Sequence, residues 1–402
     1  MRTLVRLACC SAVLLSCRGS SPSSATVGDA ALSSLVDSLM PSVAKAAGLE
    51  FKSTPSSAVR TKEQIRAYLE LKMARELPDA RVEGITATYR LLNMIADSVD
   101  LRQLFLDLYG EQIAGFYDPD SSKLFVAQGA DPSQLRLTLS HELVHALQHQ
   151  YVPLDSILRD ATDGDRQTAA QAVMEGQATL VSLIAMVPSR DVRGDDSFWD
   201  DFRDQLRKQQ SGTSVYARAP MVIREGLTFP YVAGADFLRA FGKTHPGKVP
   251  FGSLLPQSTE QLLHLDRYDR GDLPVRVRFS GEKSDLIFED TFGEYAVELL
   301  RAQLIGSNTV RTDPAIGWGG DRFRVYRTPD GPALVWVTLW DELRWADQFR
   351  SQVADPLAKA PRKGYRTTVE AQQLGGRPAV RVVVAPTGWS GWKSLPGIEL
   401  ER

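Results

Sequence analysis

Apolar side chains recur every fourth residue along one stretch of the chain, and this spacing predicts an α-helix. Residues four apart lie one above the other on a helix face, so the stripe would be buried. The preceding segment 131–134 reads Asp-Pro-Ser-Gln, which supplies an N-cap and a proline at the first helical position. The stripe consists of Leu135, Leu139, Leu143 and Leu147.

Two further helices are predicted from similar patterns. One runs from 166 to 187, and Asp163 or Asp165 is expected to cap its start. Another is expected to open at Phe229 and to continue through Phe241. The apolar positions of the first of these two helices are Ala169, Ala172, Val173, Leu180, Leu183 and Ile184.

Turn signals between these elements indicate an α+β fold. Residues 29–109 are predicted to be mainly helical, with one short extended piece near 51–59 and a capping box at 61–64. Residues 110–305 are predicted to form the core, where a β-hairpin around the turn 118–122 precedes the first helix described above.

The pattern of predicted secondary structure changes after Gly306. Short strand patterns surround one helix pattern, which predicts a small β-β-α-β-β accessory domain at 306–402. Four tryptophans of this region are expected in its core and rim. They are Trp318, Trp336, Trp340 and Trp345.

The leucine-striped helix also carries His141-Glu142-Leu143-Val144-His145. Because residues i and i+4 share a helix face, both imidazoles can bind one Zn²⁺. Zinc lowers the pKa of a bound water, and Glu142 lies beside the histidines to accept its proton. Three of the five histidines of the chain fall within 141–149. The alternative is a chance match on an exposed polar face.

A catalytic zinc takes three protein ligands and keeps the fourth position for water. Glu175 is the best candidate for the third ligand, because it lies in the apolar segment 172–176, where a buried unpaired charge is costly. Gly176 would let another helix approach closely. The alternative for Glu175 is a salt bridge to a nearby arginine.

These motifs resemble those of the gluzincins, the thermolysin-like metallopeptidases whose third zinc ligand is a glutamate on the following helix. The chain is also similar to bacterial secreted proteins and lipoproteins that combine the hairpin with three motifs. They stand here as His-Glu-Leu-Val-His-Ala-Leu-Gln at 141–148, Glu-Gly-Gln-Ala-Thr at 175–179 and Ser-Thr-Glu-Gln-Leu-Leu-His at 258–264. The resemblance covers most of the chain from Gly48 onward.

The resemblance implies a gluzincin-like zincin core, in which extended substrate pairs with the edge of the hairpin. It also implies a hydrogen-bond donor for the oxyanion, either Tyr231 of the Pro-Tyr-x-x-Gly segment or His264. Each of these two residues could instead be structural.

The sequence departs from the gluzincin pattern in two places. The interval from the second histidine to Glu175 is longer than in thermolysin and requires an inserted loop around 151–163. Thr179 stands where gluzincins often carry an aspartate that orients a zinc-binding histidine. The sequence therefore does not identify a side chain that orients the zinc-binding histidines.

The first residues predict a secreted lipoprotein. Arginines at 2 and 6 precede the apolar stretch 7–15, and Leu-Leu-Ser-Cys at 14–17 resembles a lipobox. Residues 1–17 would then be a signal peptide, Cys17 the acylated residue, and the Ser-rich segment 18–28 a flexible tether. The alternative, an uncleaved anchor, fits poorly because the apolar stretch is short for a bilayer.

This reading places the protein in a bacterial cell envelope, facing the periplasm or the exterior. The lipid would anchor it to the outer membrane or to the outer leaflet of the cytoplasmic membrane. All three cysteines lie within residues 9–17, so the mature domain would have no disulfide.

Composition limits the partners further. With 402 residues, 43% of them hydrophobic, and a formal net charge of −2, the chain can build two cores and has no overall attraction to nucleic acid. We therefore expect a zinc metalloprotease that acts on a peptide or protein substrate. Two alternatives stay open: an envelope lipoprotein whose zinc site is structural or vestigial and which serves as an assembly or binding factor, or a lipoprotein without metal.

Overall fold

The computed structural model describes residues 28–152, 163–209, 214–281, 285–307, 310, 317–391 and 397–401. The predicted signal peptide with Cys17, almost all of the tether and most of the loop 151–163 lie outside these residues. Within the described part the fold is α+β, with a mainly helical body and a strand-rich C-terminal domain. None of the helices described there has the length and apolar character needed to cross a membrane.

The region before the hairpin is helical and contains one strand. Its second helix begins with the predicted capping box, since Thr61 Oγ1 accepts the N–H of Gln64 and Gln64 Oε1 accepts the N–H of Thr61. In chain order the elements are α1 Asp29–Ala47, β1 Ser56–Arg60, α2 Lys62–Glu76, α3 Asp79–Leu91 and α4 Leu101–Gln112.

The predicted hairpin is formed by β2 Gly115–Asp118 and β3 Lys123–Ala127, which pair in antiparallel fashion. Strand β1 pairs in parallel with the other side of β3, so β2 lies at an edge of the sheet as the described residues form it. An added Cβ at Gly115 would lie 3.3 Å from the Thr138 side chain of the next helix. Strand β2 therefore packs closely on that helix.

The helices after the hairpin form the main body. The leucine stripe is buried as predicted and packs largely against α1 and the hairpin. Asp163 caps the second of these helices, because its carboxylate accepts the N–H groups of Asp165 and Arg166. The helices are α5 Pro132–Tyr151, α6 Gly164–Met186, α7 Asp196–Gln209, α8 Val215–Arg218 and α9 Met221–Thr244.

Helix α9 begins earlier than the sequence predicted. It starts after Pro220, so Pro230 lies in its interior and does not open it. An interior proline removes one helical hydrogen bond. Phe229 stacks on Tyr295, and Tyr231 stacks on His141 of α5. This packing on both sides of Pro230 offsets the lost hydrogen bond.

Helices α6 and α9 cross with their backbones in contact. An added Cβ at Gly176 would lie 2.1 Å from the carbonyl carbon of Gly234, and one at Gly234 would lie 1.7 Å from the carbonyl oxygen of Ala172. Only glycine leaves room for this approach. The crossing brings the turn of α9 that carries Tyr231 beside the turn of α6 that carries Glu175.

Two short helices, α10 Thr259–Leu263 and α11 Leu265–Asp269, lead towards the C-terminal domain. Ser258 caps α10 by accepting the N–H of Gln261 at 3.1 Å. The Gln261 side chain accepts the N–H of Gln257, 2.8 Å away, whereas a capping box needs the N–H of Ser258. Only one of the two bonds of a capping box is therefore formed here.

The C-terminal sheet is antiparallel, and its described strands follow the order β5-β6-β7-β9-β8. It contains the predicted β-β-α-β-β order, but β5 and α12 precede the predicted boundary at 306. The sheet buries Trp318, Trp336 and Trp340, while Trp345 is half-buried. The remaining elements are β4 Arg276–Phe279, β5 Leu286–Asp290, α12 Gly293–Leu304, β6 Trp318–Tyr326, β7 Ala333–Trp340, α13 Leu343–Phe349, α14 Asp355–Lys359, β8 Tyr365–Leu374, β9 Arg377–Pro386 and β10 Ile398–Glu401.

One buried aspartate joins this sheet to the start of α6, and a second binds the start of α12. Asp290 of β5 accepts the N–H of Gly164 at 2.8 Å. Asp321 of β6 accepts the N–H groups of Phe292 and Gly293, each at 2.9 Å, and burial raises the pKa of Asp321 to about 6. The Asp290 bond therefore ties the C-terminal sheet to the helical body.

The α6–α9 contact predicts opposite effects for two glycines of α9. Gly234→Ala forces the new methyl group into the backbone of Ala172 and should lower the free energy of unfolding by about 3 kcal/mol. Gly242→Ala is the matched control, because nothing lies within 4 Å of its added Cβ. It should be neutral or stabilising by up to about 1 kcal/mol, since alanine favours a helix. Urea denaturation measures both, and equal stabilities would contradict the close crossing.

Candidate metal centre

One polar face of α5 points into the protein interior. His141, Glu142 and His145 are 2%, 1% and 1% exposed, so the interpretation of this face as a solvated surface is wrong. The two imidazole rings meet edge to face, with centroids 4.9 Å apart and Nε2 atoms 3.2 Å apart. The i, i+4 spacing therefore directs both Nε2 atoms to one point.

Glu175 reaches the same point from α6 and is fully buried. Its Oε2 atom lies 3.2 Å from His141 Nε2 and 3.4 Å from His145 Nε2. In the described part of the chain the ion-pair partners of Glu175 are these two histidines and no arginine. The carboxylate is therefore placed to bind the same metal ion as the two histidines.

The three ligand atoms form a nearly equilateral triangle with sides of 3.2, 3.2 and 3.4 Å. Ligands arranged tetrahedrally at 2.0 to 2.1 Å from a zinc ion are separated by about 3.3 Å. The triangle thus has the dimensions of one face of such a tetrahedron. This buried group can hold a metal ion, and two imidazoles with one carboxylate form a donor set that suits zinc.

Burial and mutual charge shift the protonation of the centre. Burial lowers the pKa of His141 and raises the pKa of Glu142 to about 8. Burial also disfavours the charged form of His145, but the Glu175 carboxylate outweighs it and raises the pKa of His145 to about 9. A divalent cation at the triangle would favour the deprotonated form of each of these side chains.

Several buried polar atoms of the centre have no hydrogen-bond partner among the described residues. Buried polar atoms are normally bonded, so a cluster of unpaired ones indicates a place for additional ligand atoms. The free carboxylate oxygens fit a metal ion and its water. The unpaired atoms are His141 Nδ1, Glu142 Oε1, Glu175 Oε1 and Thr179 Oγ1.

The edge strand β2 holds Glu142 in place. The backbone N–H of Tyr117 donates to Glu142 Oε2 at 2.7 Å. The Tyr117 hydroxyl lies 2.8 Å from Nδ1 of His149, which is half-buried. Strand β2 is therefore joined to α5 at two points, and one of them is the carboxylate between the histidines.

The structure places the two candidate oxyanion donors differently. Tyr231 is 4% exposed, and its ring stacks on that of His141 with centroids 5.8 Å apart. His264 is also buried, but its Nε2 lies 2.6 Å from a carboxylate oxygen of Glu294 on α12. Tyr231 thus adjoins the triangle, whereas the described bond of His264 leads to α12.

Sequence reasoning missed two groups that contact the centre. The Tyr117 N–H is a backbone group, and no side-chain pattern reveals which carboxylate it meets. Gln148, which bonds His145, was visible as the last residue of the motif at 141–148. Its i+3 spacing from His145 on the same helix face was the signal that could have identified it.

Comparison with known families bears on the C-terminal domain only. Residues 282–388 match a family described as a domain of unknown function (DUF8575). The match includes strands β5 to β9 and lies outside the helices that carry the metal-binding triangle. Neither a curated protein nor a solved structure matches the chain. The function of the centre must therefore be argued from its own geometry.

Loss of any one ligand should release the metal. We expect about one zinc per chain in dialysed wild-type protein, and less than about a tenth of that in His141→Ala and Glu175→Ala, because two ligands hold zinc weakly. His245→Ala is the matched control, since this histidine stacks on Phe241 and is outside the triangle. Elemental analysis of the folded proteins measures the content. Unchanged zinc in the ligand variants would show that the assignment is wrong.

Proposed function

We propose that the protein is a zinc-dependent peptide hydrolase of the gluzincin kind. The observation that carries this proposal is the triangle of His141, His145 and Glu175, with the dimensions of a tetrahedral face and Glu142 adjacent to it. A glutamate on the helix after the motif is the third ligand that the gluzincin resemblance implies.

Glu142 is proposed to move the proton. A bound Zn²⁺ would act as a Lewis acid and lower the pKa of water at its open position. Glu142 keeps Oε2 on the Tyr117 N–H, while Oε1 has no partner among the residues that the structure describes. The carboxylate can therefore accept a proton at Oε1 without changing its orientation, and it can return that proton to the leaving amine.

The substrate is proposed to be an extended peptide chain. In an antiparallel pair, residues alternate between facing the partner strand and facing away from it. Tyr117 faces away from β3, because its N–H reaches Glu142 on the other side. A peptide pairing with this edge would place its backbone beside the triangle. All residues of β2 are buried in this conformation, so entry of a peptide requires the edge to open.

Tyr231 is proposed to donate a hydrogen bond to the oxyanion. The ring of Tyr231 stacks on that of His141, so the side chain that carries the hydroxyl group adjoins the triangle. A neutral phenol also donates across the physiological pH range. His264 is the alternative, but its ring nitrogen is engaged by Glu294 at 2.6 Å. These contacts favour Tyr231.

Glu142→Gln tests the proposed reaction. The amide cannot accept the proton, so hydrolysis of a mixed quenched-fluorescence peptide library should fall to background. Zinc content should stay at the wild-type value, because Glu142 is not one of the three ligands. The amide oxygen can still accept the Tyr117 N–H, so the fold should be retained.

Glu111→Gln is the matched control and should keep its activity, since the Glu111 carboxylate bonds the backbone of Val215 and Tyr216, on α8. Full activity in Glu142→Gln would end the hydrolase proposal. A wild-type protein that binds zinc but cleaves none of the peptides would favour the structural or vestigial site.

Tyr231→Phe tests the oxyanion donor. A donor that meets the oxygen only after attack stabilises the transition state, so its loss should lower kcat by about 10² to 10³ with little change in KM. Zinc content and stability should be retained, because only a hydroxyl group is removed. Near wild-type kcat in Tyr231→Phe, together with a large loss in His264→Ala, would transfer the role to His264.

A further inference from the structure

Gln148 connects the two helices that carry the metal ligands. It lies one turn after His145 on α5 and is 3% exposed. Its Oε1 lies 2.9 Å from His145 Nδ1. Its Nε2 lies 2.9 Å from the carbonyl oxygen of Met174 and 2.9 Å from Oε1 of Gln177, both on α6. Every polar contact of this amide is therefore made inside the protein.

The Met174 contact fixes which way the amide points. A backbone carbonyl can only accept a hydrogen bond, so the amide nitrogen of Gln148 must face it. The amide oxygen must then face His145. Since that oxygen can only accept, His145 Nδ1 must carry a proton. When the ring is neutral, the form that a bound cation favours, Nε2 has no proton and its lone pair is directed to the triangle.

We propose that Gln148 is a positioning residue that selects the metal-binding tautomer of His145 and holds its ring against the turn of α6 that carries Glu175. This inference rests on the metal centre of the proposed function. Met174 and Glu175 are adjacent in α6, so one amide fixes the distance between the second and third ligands. Gln148 acts through His145 and does not itself touch the metal.

Among the described residues, the other histidine of the triangle, His141, has no equivalent support. His141 Nδ1 and Thr179 Oγ1, the position where gluzincins often carry an aspartate, are both buried without a partner among the described residues. Within the described residues, one of the two histidines of the triangle is therefore held by a neutral amide at its outer ring nitrogen. A neutral partner holds the ring without adding a negative charge to a buried site that already contains Glu142 and Glu175.

Gln148→Met tests this role, because methionine has a similar length and makes none of these hydrogen bonds. Loss of a side chain that orients a metal-binding histidine typically lowers metal affinity by about 10- to 100-fold, and we expect that range for zinc. Competition with a chromophoric chelator on the mature chain measures the dissociation constant.

Two further variants separate positioning from general loss of a glutamine. Gln177→Met removes one acceptor but leaves the Met174 contact, so the amide keeps its orientation and zinc affinity should change less than about 3-fold. Gln150 also lies on α5, but its amide bonds Lys52 and Ser53. Gln150→Met should therefore leave the zinc affinity unchanged. An equal loss in all three variants would overturn the proposal.

A spectroscopic readout keeps the proposal testable if Gln148→Met does not fold. In the zinc-loaded wild-type protein, ¹⁵N-resolved NMR should show the His145 ring proton on Nδ1, protected from exchange with solvent. In a folded Gln148→Met protein that proton should exchange faster.

A ring proton on Nε2 in wild type, or wild-type zinc affinity in Gln148→Met, overturns the role of Gln148 and leaves the hydrolase proposal intact. A wild-type chain that binds no zinc overturns both.

Discussion

Two helices can touch along their backbones only where neither carries a side chain, and α6 and α9 meet in this way at Gly176 and Gly234. Gly176 directly follows Glu175, and Gly234 lies one turn after Tyr231. The crossing therefore sets the distance between the carboxylate of the triangle and the aromatic ring that covers His141. A side chain at either position would separate the helices. The distance between Glu175 and Tyr231 would then increase.

Helix α6 links several parts of the site to the C-terminal sheet. Its first turn is held by Asp290 of the C-terminal sheet, and Glu175 lies about 16 Å further along the same helix. Next to Glu175, the Met174 carbonyl group binds Gln148 of α5. A rigid helix thus connects the accessory domain, the metal ligands and the glycine crossing. The C-terminal domain, which lies outside the motif at 141–145, thus packs against the core through the buried bond between Asp290 and Gly164.

Local sequence signals predicted much of the centre. The spacing of His141 and His145, the leucine stripe and the apolar surroundings of Glu175 depend on one helix at a time, so they are readable without the fold. The contacts of Tyr117 and Gln148 depend on three packed elements, and a backbone N–H leaves no trace in the sequence. The start of α9 was predicted wrongly because Pro230 resembles a first-turn signal, whereas packing of its neighbours Phe229 and Tyr231 keeps it inside the helix.

The closeness of the ligands along the chain has a consequence for how the protein folds. His141 and Glu175 are 34 residues apart, whereas the bond between Gly164 and Asp290 spans 126 residues. Closing the longer loop costs about 1 kcal/mol more chain entropy, since this cost grows with the logarithm of loop length. We therefore expect the helical pair α5–α6 to assemble before the accessory sheet docks, so that a metal ion could be captured while the rest of the chain is still folding.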